Sequence, residues 1–168
     1  MKINIVNEDL FKKYRGCYAH CISSDFNMSQ GIAVEFEKKF NVKKELIREY
    51  GEDYYKFSYE PFCAYTVTNG RVLNLVTKKR YFEKPTLNDI KLSLISMRDI
   101  MENNGISHVS MPEIACGLDR HKWKDIDKIL NEVFKDTDFE FTVYLKKDVK
   151  EPKPYKVRTG NQWDLKRG

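Results

Sequence analysis

Apolar and polar positions alternate along this chain in two periods, and the switches between them outline the elements. KINIV (2–6) and CYAHCI (17–22) are short apolar-rich runs of the kind that form buried strands. From Gly31 the period lengthens: Ile32, Phe36 and Phe40 share one helical face and leave Glu35, Lys38 and Lys39 to water. VKKELIREYG continues as a second helical piece that stops at Gly51. FCAYTVT and RVLNLVT flank Asn69-Gly70, a pair suited to the two positive-φ positions of a tight hairpin turn.

The clearest helix is predicted in KPTLNDIKLSLISMRDIMENNG, where Leu87, Ile90, Leu94, Met97 and Met101 recur at three and four residues. Thr86 with Asp89 three residues on fits its start, and Gly105 its stop. ISHVSMP reads as a strand ended by Pro112, and EIACGLDRH as a loop. Trp123, Ile126, Leu130 and Val133 mark the buried face of a last helix, and FEFTVYL is a last strand. Strand, strand, helix, hairpin, helix, strand, helix, strand predicts a three-layer α/β domain with a mixed sheet. Its expected bounds are 1–145; periodicity is lost in the tail, 146–168, which carries two prolines.

Composition narrows the class. With 41% hydrophobic residues and ten each of Tyr and Phe, wholesale disorder is excluded. No run approaches the roughly 20 apolar residues of a membrane span. The N-terminus turns acidic too early for a signal peptide, and Cys17, Cys21, Cys63 and Cys116 are scattered, so reduced thiols and a cytoplasmic location are expected. The net charge is +5, and residues 146–168 hold eight Lys or Arg against three acids, which accounts for all of it. The body is therefore neutral. Only the tail reads as a nucleic-acid contact, with Tyr155 and Trp163 interleaved among its bases. A monomer is expected.

Candidate chemistry lies in two loops. One follows AHCI and leads through Ser29-Gln30-Gly31 into a helix; the other follows HVSMP and leads through Ala115-Cys116-Gly117-Leu118 into another. In layered α/β sheets, ligands collect where strand ends feed helices, and small residues let backbone N–H groups approach an anion. Two such loops suit a diphosphate, though each glycine can also simply turn the chain. No clustered His and carboxylates suggest a metal, and no cofactor is expected.

YAHCISSDFNMSQGIAVEF, LVTKKRYFEKPT, SMPEIACGLDRHKW and FTVYL, in that order, resemble the macro domains of the terminal ADP-ribose protein glycohydrolase type. The resemblance covers residues 2 to about 145 and leaves the tail outside. It implies a mixed sheet between helices with an ADP-ribose cleft across its top. It also implies that Asp9 accepts from the adenine amino group, with backbone contact from Leu10 and with Tyr144 near the adenine. Ser23 through Ile32, including Ser29, Gln30 and Gly31, would wrap the distal ribose and one phosphate. Glu113, Ile114, Ala115, Cys116, Gly117 and Leu118 would form the second phosphate loop, and His20 and Thr77 are counted among the ligand contacts. Two departures stand out: Glu8 and Ser29 replace the glycines common at those places, and Ser29 puts a Cβ where backbone meets ribose.

By the same resemblance Lys78 is a nucleophile toward the distal ribose C1″ and Asp119 an acid/base. A lysine attacks only as the free amine, which desolvation or neighbouring cations such as Lys79 and Arg80 favour. Strand alternation sends Lys78 and Lys79 to opposite faces, so one of them enters the cleft. The plainer alternative is a solvated strand end, with Asp119 as a helix N-cap. His20, in an apolar run, also fits a buried packing role; His108 reads as packing and His121 as rim. A Cys116–His nucleophile pair is disfavoured.

The leading expectation is an ADP-ribosyl hydrolase acting on acidic side chains of modified protein, on nucleic acid, or on O-acetyl-ADP-ribose. The alternatives are an ADP-ribose-1″-phosphate phosphatase, a non-catalytic ADP-ribose reader, and a nucleic-acid module led by the tail. Lys78 with Asp119 separates the first from the reader.

Overall fold

Residues buried on alternate positions cannot leave a strand's backbone unpaired, so the apolar runs assemble into one sheet. The computed structural model describes residues 1–12, 16–50, 63–67 (backbone alone) and 71–145. In chain order the elements are β1 (Lys2–Val6), β2 (Cys17–Ser23), α1 (Ile32–Phe40), α2 (Val42–Tyr50), β3 (Cys63–Val67), β4 (Val72–Lys78), α3 (Leu87–Asn104), β5 (His108–Pro112), α4 (Trp123–Phe134) and β6 (Glu140–Tyr144). The expected order of elements holds throughout. The expected stop at Gly51, the Asn69-Gly70 turn and the tail lie outside the described residues.

The six strands form one mixed sheet in the order β1-β6-β5-β2-β4-β3. Every neighbouring pair is parallel except β3 with β4, which run antiparallel from Cys63↔Val76 to Val67↔Val72 as a hairpin requires. Period-two alternation divides the side chains between two cores. Ala19 on β2 and Leu73 and Leu75 on β4 join α3 and α4 through Ile90, Leu94, Met97, Ile126 and Leu130. Tyr18, Ile22, Val72 and Val76 point the other way, against Phe36, Val42 and Leu46 of α1 and α2. Helices thus cover both faces, giving the three layers expected.

Local chemistry fixes where the helices begin and end. Thr86 Oγ1 accepts from the Asp89 N–H at 3.1 Å, and the Asp89 carboxylate accepts from the Thr86 N–H at 2.9 Å, a reciprocal cap. Gly105 closes α3 at φ 66°, in the left-handed region. Asn41, also left-handed at φ 51°, divides α1 from α2. Leu87, expected on the buried face of α3, is 38% exposed because it occupies the first helical position, beside the cap and ahead of the packed turns.

Beneath α1 lies a buried polar pair. His20 Nε2 is 2.6 Å from Asn74 Oδ1, and its ring stacks on Phe36 at 3.9 Å. Burial pushes the imidazole down to about 4, against the opposing effect of the Asn74 bond, so it is neutral at physiological pH.

Candidate active site

Neighbouring strands β2 and β5 send their following loops to opposite faces: β2 leads to α1 and β5 to α4. Such a divergence opens a crevice at the carboxyl ends of parallel strands. The crevice here is a cleft of about 1130 Å³. It is on the scale of a dinucleotide-sized ligand site.

The first wall is residues 23–31. The Asp25 carboxylate accepts from Ser23 Oγ and from the Asn27 N–H, and Asn27 Oδ1 accepts from the Ser29 N–H and hydroxyl. Phe26 and Met28 are buried beneath, anchoring the loop to the aromatic core. Entry to α1 is through Gly31 at φ 65° and ψ −151°, a conformation nearly confined to glycine. A Cβ there would sit 3.3 Å from Leu118 Cδ1, so the two loops approach each other at this point.

The second wall is residues 113–121, shaped by its own backbone. Cys116 N–H donates to the Glu113 carbonyl, Arg120 N–H to Gly117, and His121 N–H to Ala115. Ala115 and Arg120 take positive φ of 62° and 64°. α4 starts at Trp123 with Lys122 as its N-cap residue, so the alternative that Asp119 caps this helix is corrected. Asp119 Oδ1 instead accepts from Lys78 Nζ at 2.7 Å. The side chains are only 14% and 12% exposed, which makes this a largely desolvated ion pair across the cleft floor.

Of the residues singled out from sequence, Asp9, Leu10, Ser23, Gln30, Gly31, Ile32, Lys78, Glu113 to Asp119 and Tyr144 line the cleft. His20, Ser29 and Thr77 do not. His20 lies within the sheet under Phe36. Thr77 is fully buried one residue short of the strand end. The Ser29 hydroxyl donates to Asn27 Oδ1. His121 bonds to the Pro85 carbonyl at 2.7 Å, and His108 to Thr142 Oγ1. Lys79 is exposed while Lys78 is not, as alternation requires.

Sequence reasoning missed Cys21, Glu35, Tyr81, Phe82, Lys84 and Arg120 on the cleft wall. Two aromatics directly after Lys78-Lys79-Arg80 were a usable signal; the others depend on strand order. Burial pushes the Cys21 thiol up to about 12, with Asp119 adding and Lys78 opposing. Burial, with Glu113 and Asp125, pushes Cys116 up to about 11. Both thiols stay protonated at neutral pH and are poor nucleophiles. Among the described residues no group of three or more His, Cys, Asp or Glu is placed to hold a metal.

No family model matches the chain. The ADP-ribose glycohydrolase OARD1 of Homo sapiens and that of Bos taurus are each 41% identical to it over 145 residues, covering 85% of this chain and 91% of theirs. The macrodomain of Mycobacterium tuberculosis DarG matches in structure with a TM-score of 0.72 at 20% identity, over 84% of this chain and 96% of that one. Thermosipho africanus DarTG in complex with ADP-ribose matches with a TM-score of 0.71 at 15% identity, over 90% of this chain and 43% of that one. At such identities the two structures speak for the fold alone.

Proposed function

This chain belongs to the macro-domain ADP-ribose glycohydrolases, and on that premise we propose that it frees ADP-ribose from a modified macromolecule, with Lys78 as nucleophile and Asp119 as proton partner. The observation that carries the assignment is the 2.7 Å Lys78–Asp119 pair, held nearly out of water between the end of β4 and the loop after β5. A reader that only binds ADP-ribose has no need of a desolvated amine and carboxylate facing one point of its cleft.

The geometry supports the following sequence. Asp119 takes a proton from Lys78, leaving a free amine. The amine attacks C1″ of the distal ribose; a C–N bond forms, the C1″–O bond breaks, and its electron pair leaves on the carboxylate or phosphate oxygen of the modified group. Asp119 passes its proton to solvent as the modified group departs and is a carboxylate again. Water then attacks C1″ with Asp119 as base, the C–N bond breaks with its electron pair returning to the Lys78 nitrogen, and the amine is restored. Backbone N–H groups at the start of α1 and in the 113–121 loop would take the diphosphate.

Lys78→Ala tests this directly. Hydrolysis of a mono-ADP-ribosylated protein and of ADP-ribosylated DNA, assayed side by side, should fall by about three orders of magnitude or more, with ADP-ribose affinity near wild type. Borohydride should trap an adduct on Lys78 in the wild type. Full activity in Lys78→Ala would exclude the lysine mechanism in favour of water attack assisted by Asp119. By calorimetry, ADP-ribose should bind at micromolar level or better, about −8 kcal/mol.

A further inference from the structure

The Lys78 end of the cleft carries a feature that this chemistry leaves unused. After β4 the chain runs Lys79-Arg80-Tyr81-Phe82-Glu83-Lys84, and every one of these residues is exposed. Tyr81 is 44% and Phe82 69% exposed, and their rings meet edge to face at 5.4 Å on the rim of the cleft. Adjacent aromatics left in water beside a ligand site mark an interaction surface more often than a packing error.

The backbone under the rings is pinned. The Asp25 carboxylate accepts from the Tyr81 N–H at 3.0 Å. Glu83 closes a turn: its carboxylate accepts from the Arg80 N–H at 3.1 Å and its own N–H donates to the Arg80 carbonyl at 3.0 Å. The His121–Pro85 bond ties this turn to the 113–121 loop. The rings are therefore offered on a fixed support, which lowers the entropy lost when something settles on them.

Charge indicates what would settle there. Exposed Lys79, Arg80 and Lys84 flank the ring pair in sequence, and exposed Arg120 and Lys122 stand on or just after the loop tied to it. Acids line the cleft at Glu8, Asp9 and Glu35. β1, the strand before Asp9, and β4, which ends at Lys78, stand four strand spacings apart, roughly 19 Å. Positive charge and flat aromatic faces together suit a strand that has both phosphates and bases. An acidic peptide would satisfy the cations but leave the rings in water.

We infer that Tyr81 and Phe82 form a stacking platform for a base next to the ADP-ribosylated nucleotide of a single-stranded nucleic acid, with Lys79, Arg80 and Lys84 along its phosphates. This rests on the reading that the distal ribose lies at Lys78, because only then does the rest of the modified molecule leave the cleft over this turn.

The test uses the full chain, so the basic residues beyond Leu145 are the same in every protein compared. An unmodified single-stranded oligonucleotide of about ten nucleotides containing 2-aminopurine is titrated with three proteins: wild type, the double variant Tyr81→Ala/Phe82→Ala, and Tyr81→Phe/Phe82→Tyr, which keeps both rings. Wild type and the ring-keeping variant should quench the fluorescent base, and affinity should fall as salt rises. The alanine variant should lose the quench and bind about 10-fold more weakly. With an ADP-ribosylated single strand its KM should rise by a similar factor. Equal quench and affinity in the alanine variant would overturn the platform. So would an equal rise in KM on an ADP-ribosylated acidic peptide, which would give the surface to protein substrates. Because the quench needs no turnover, absence of hydrolysis on every substrate would count against the proposed function, while the platform would be judged on the quench.

Discussion

The two loops that wall the cleft reach the same shape of opening by different means. Residues 23–31 are held by side chains, with Asp25 and Asn27 each accepting from neighbours, and by a glycine where α1 begins. Residues 113–121 are held by backbone bonds and by ties to the strand and turn opposite, through Lys78–Asp119 and His121–Pro85. The first loop rests on an aromatic core with a buried histidine; the second rests on an aliphatic one. Both are tied to the end of β4, the first through the Ser24 and Asp25 N–H groups donating to the Lys78 and Lys79 carbonyls, and the second through a carboxylate on the Lys78 amine. The first loop therefore serves grip and the second chemistry.

The sharpest test of that division is Asp119→Asn. It keeps an oxygen for Lys78 to donate to but cannot take a proton, so kcat should fall about 10²- to 10⁴-fold while the thermal midpoint moves little. A collapse of stability with only a modest kcat effect would reverse the division.

The next effect in size belongs to the first loop's foundation. His20 is held down to about 4 in the folded state against an ordinary 6.5. As pH falls through 6.5 the unfolded chain takes up the proton first, so stability is lost down to about 4 and levels off below. About 3 kcal/mol should disappear over this window in urea unfolding. His20→Gln, which keeps a donor for Asn74 without titrating, should flatten that slope.

Gly31→Ala should cost about 1–3 kcal/mol, because only glycine adopts that conformation readily. ADP-ribose affinity should fall about 10-fold by calorimetry, since the added Cβ presses on Leu118 and forces the start of α1 and the second loop apart. The smallest effect is expected from Asn27→Ala, about 1 kcal/mol of stability in urea unfolding for the bonds to Ser29. If Asn27→Ala were instead as damaging as Asp119→Asn, the first loop would be part of the chemistry.

The same contrast explains what was legible in the chain. Side-chain devices are written locally: the Thr86–Asp89 cap, the Gly105 stop and the Ile32–Phe36–Phe40 face all reappear in the structure. Lys78 and Asp119 stand out only through the motifs around them, since 41 residues separate partners that strand order brings together. Thr77 and His20 failed as cleft residues for a related reason. Each lies among motif residues in sequence, yet each is fully buried, His20 where β2 pairs with Asn74 of β4 and Thr77 where the register between those strands shifts. Cys21 and Arg120 reach the wall through tertiary placement that no local pattern records.

The sheet order also constrains how the molecule is made. β1 has a single neighbour, β6, from Lys2↔Glu140 to Val6↔Tyr144. While the chain is being synthesised, the first strand emerges and then waits, unpaired, until nearly everything else has left the ribosome. β1 is therefore the last strand to be set in place, while Leu10 and Phe11, which pack with Tyr18 and Phe36, have their partners much earlier. A nascent chain stalled before residue 140 should hold both loops and still leave β1 outside the sheet.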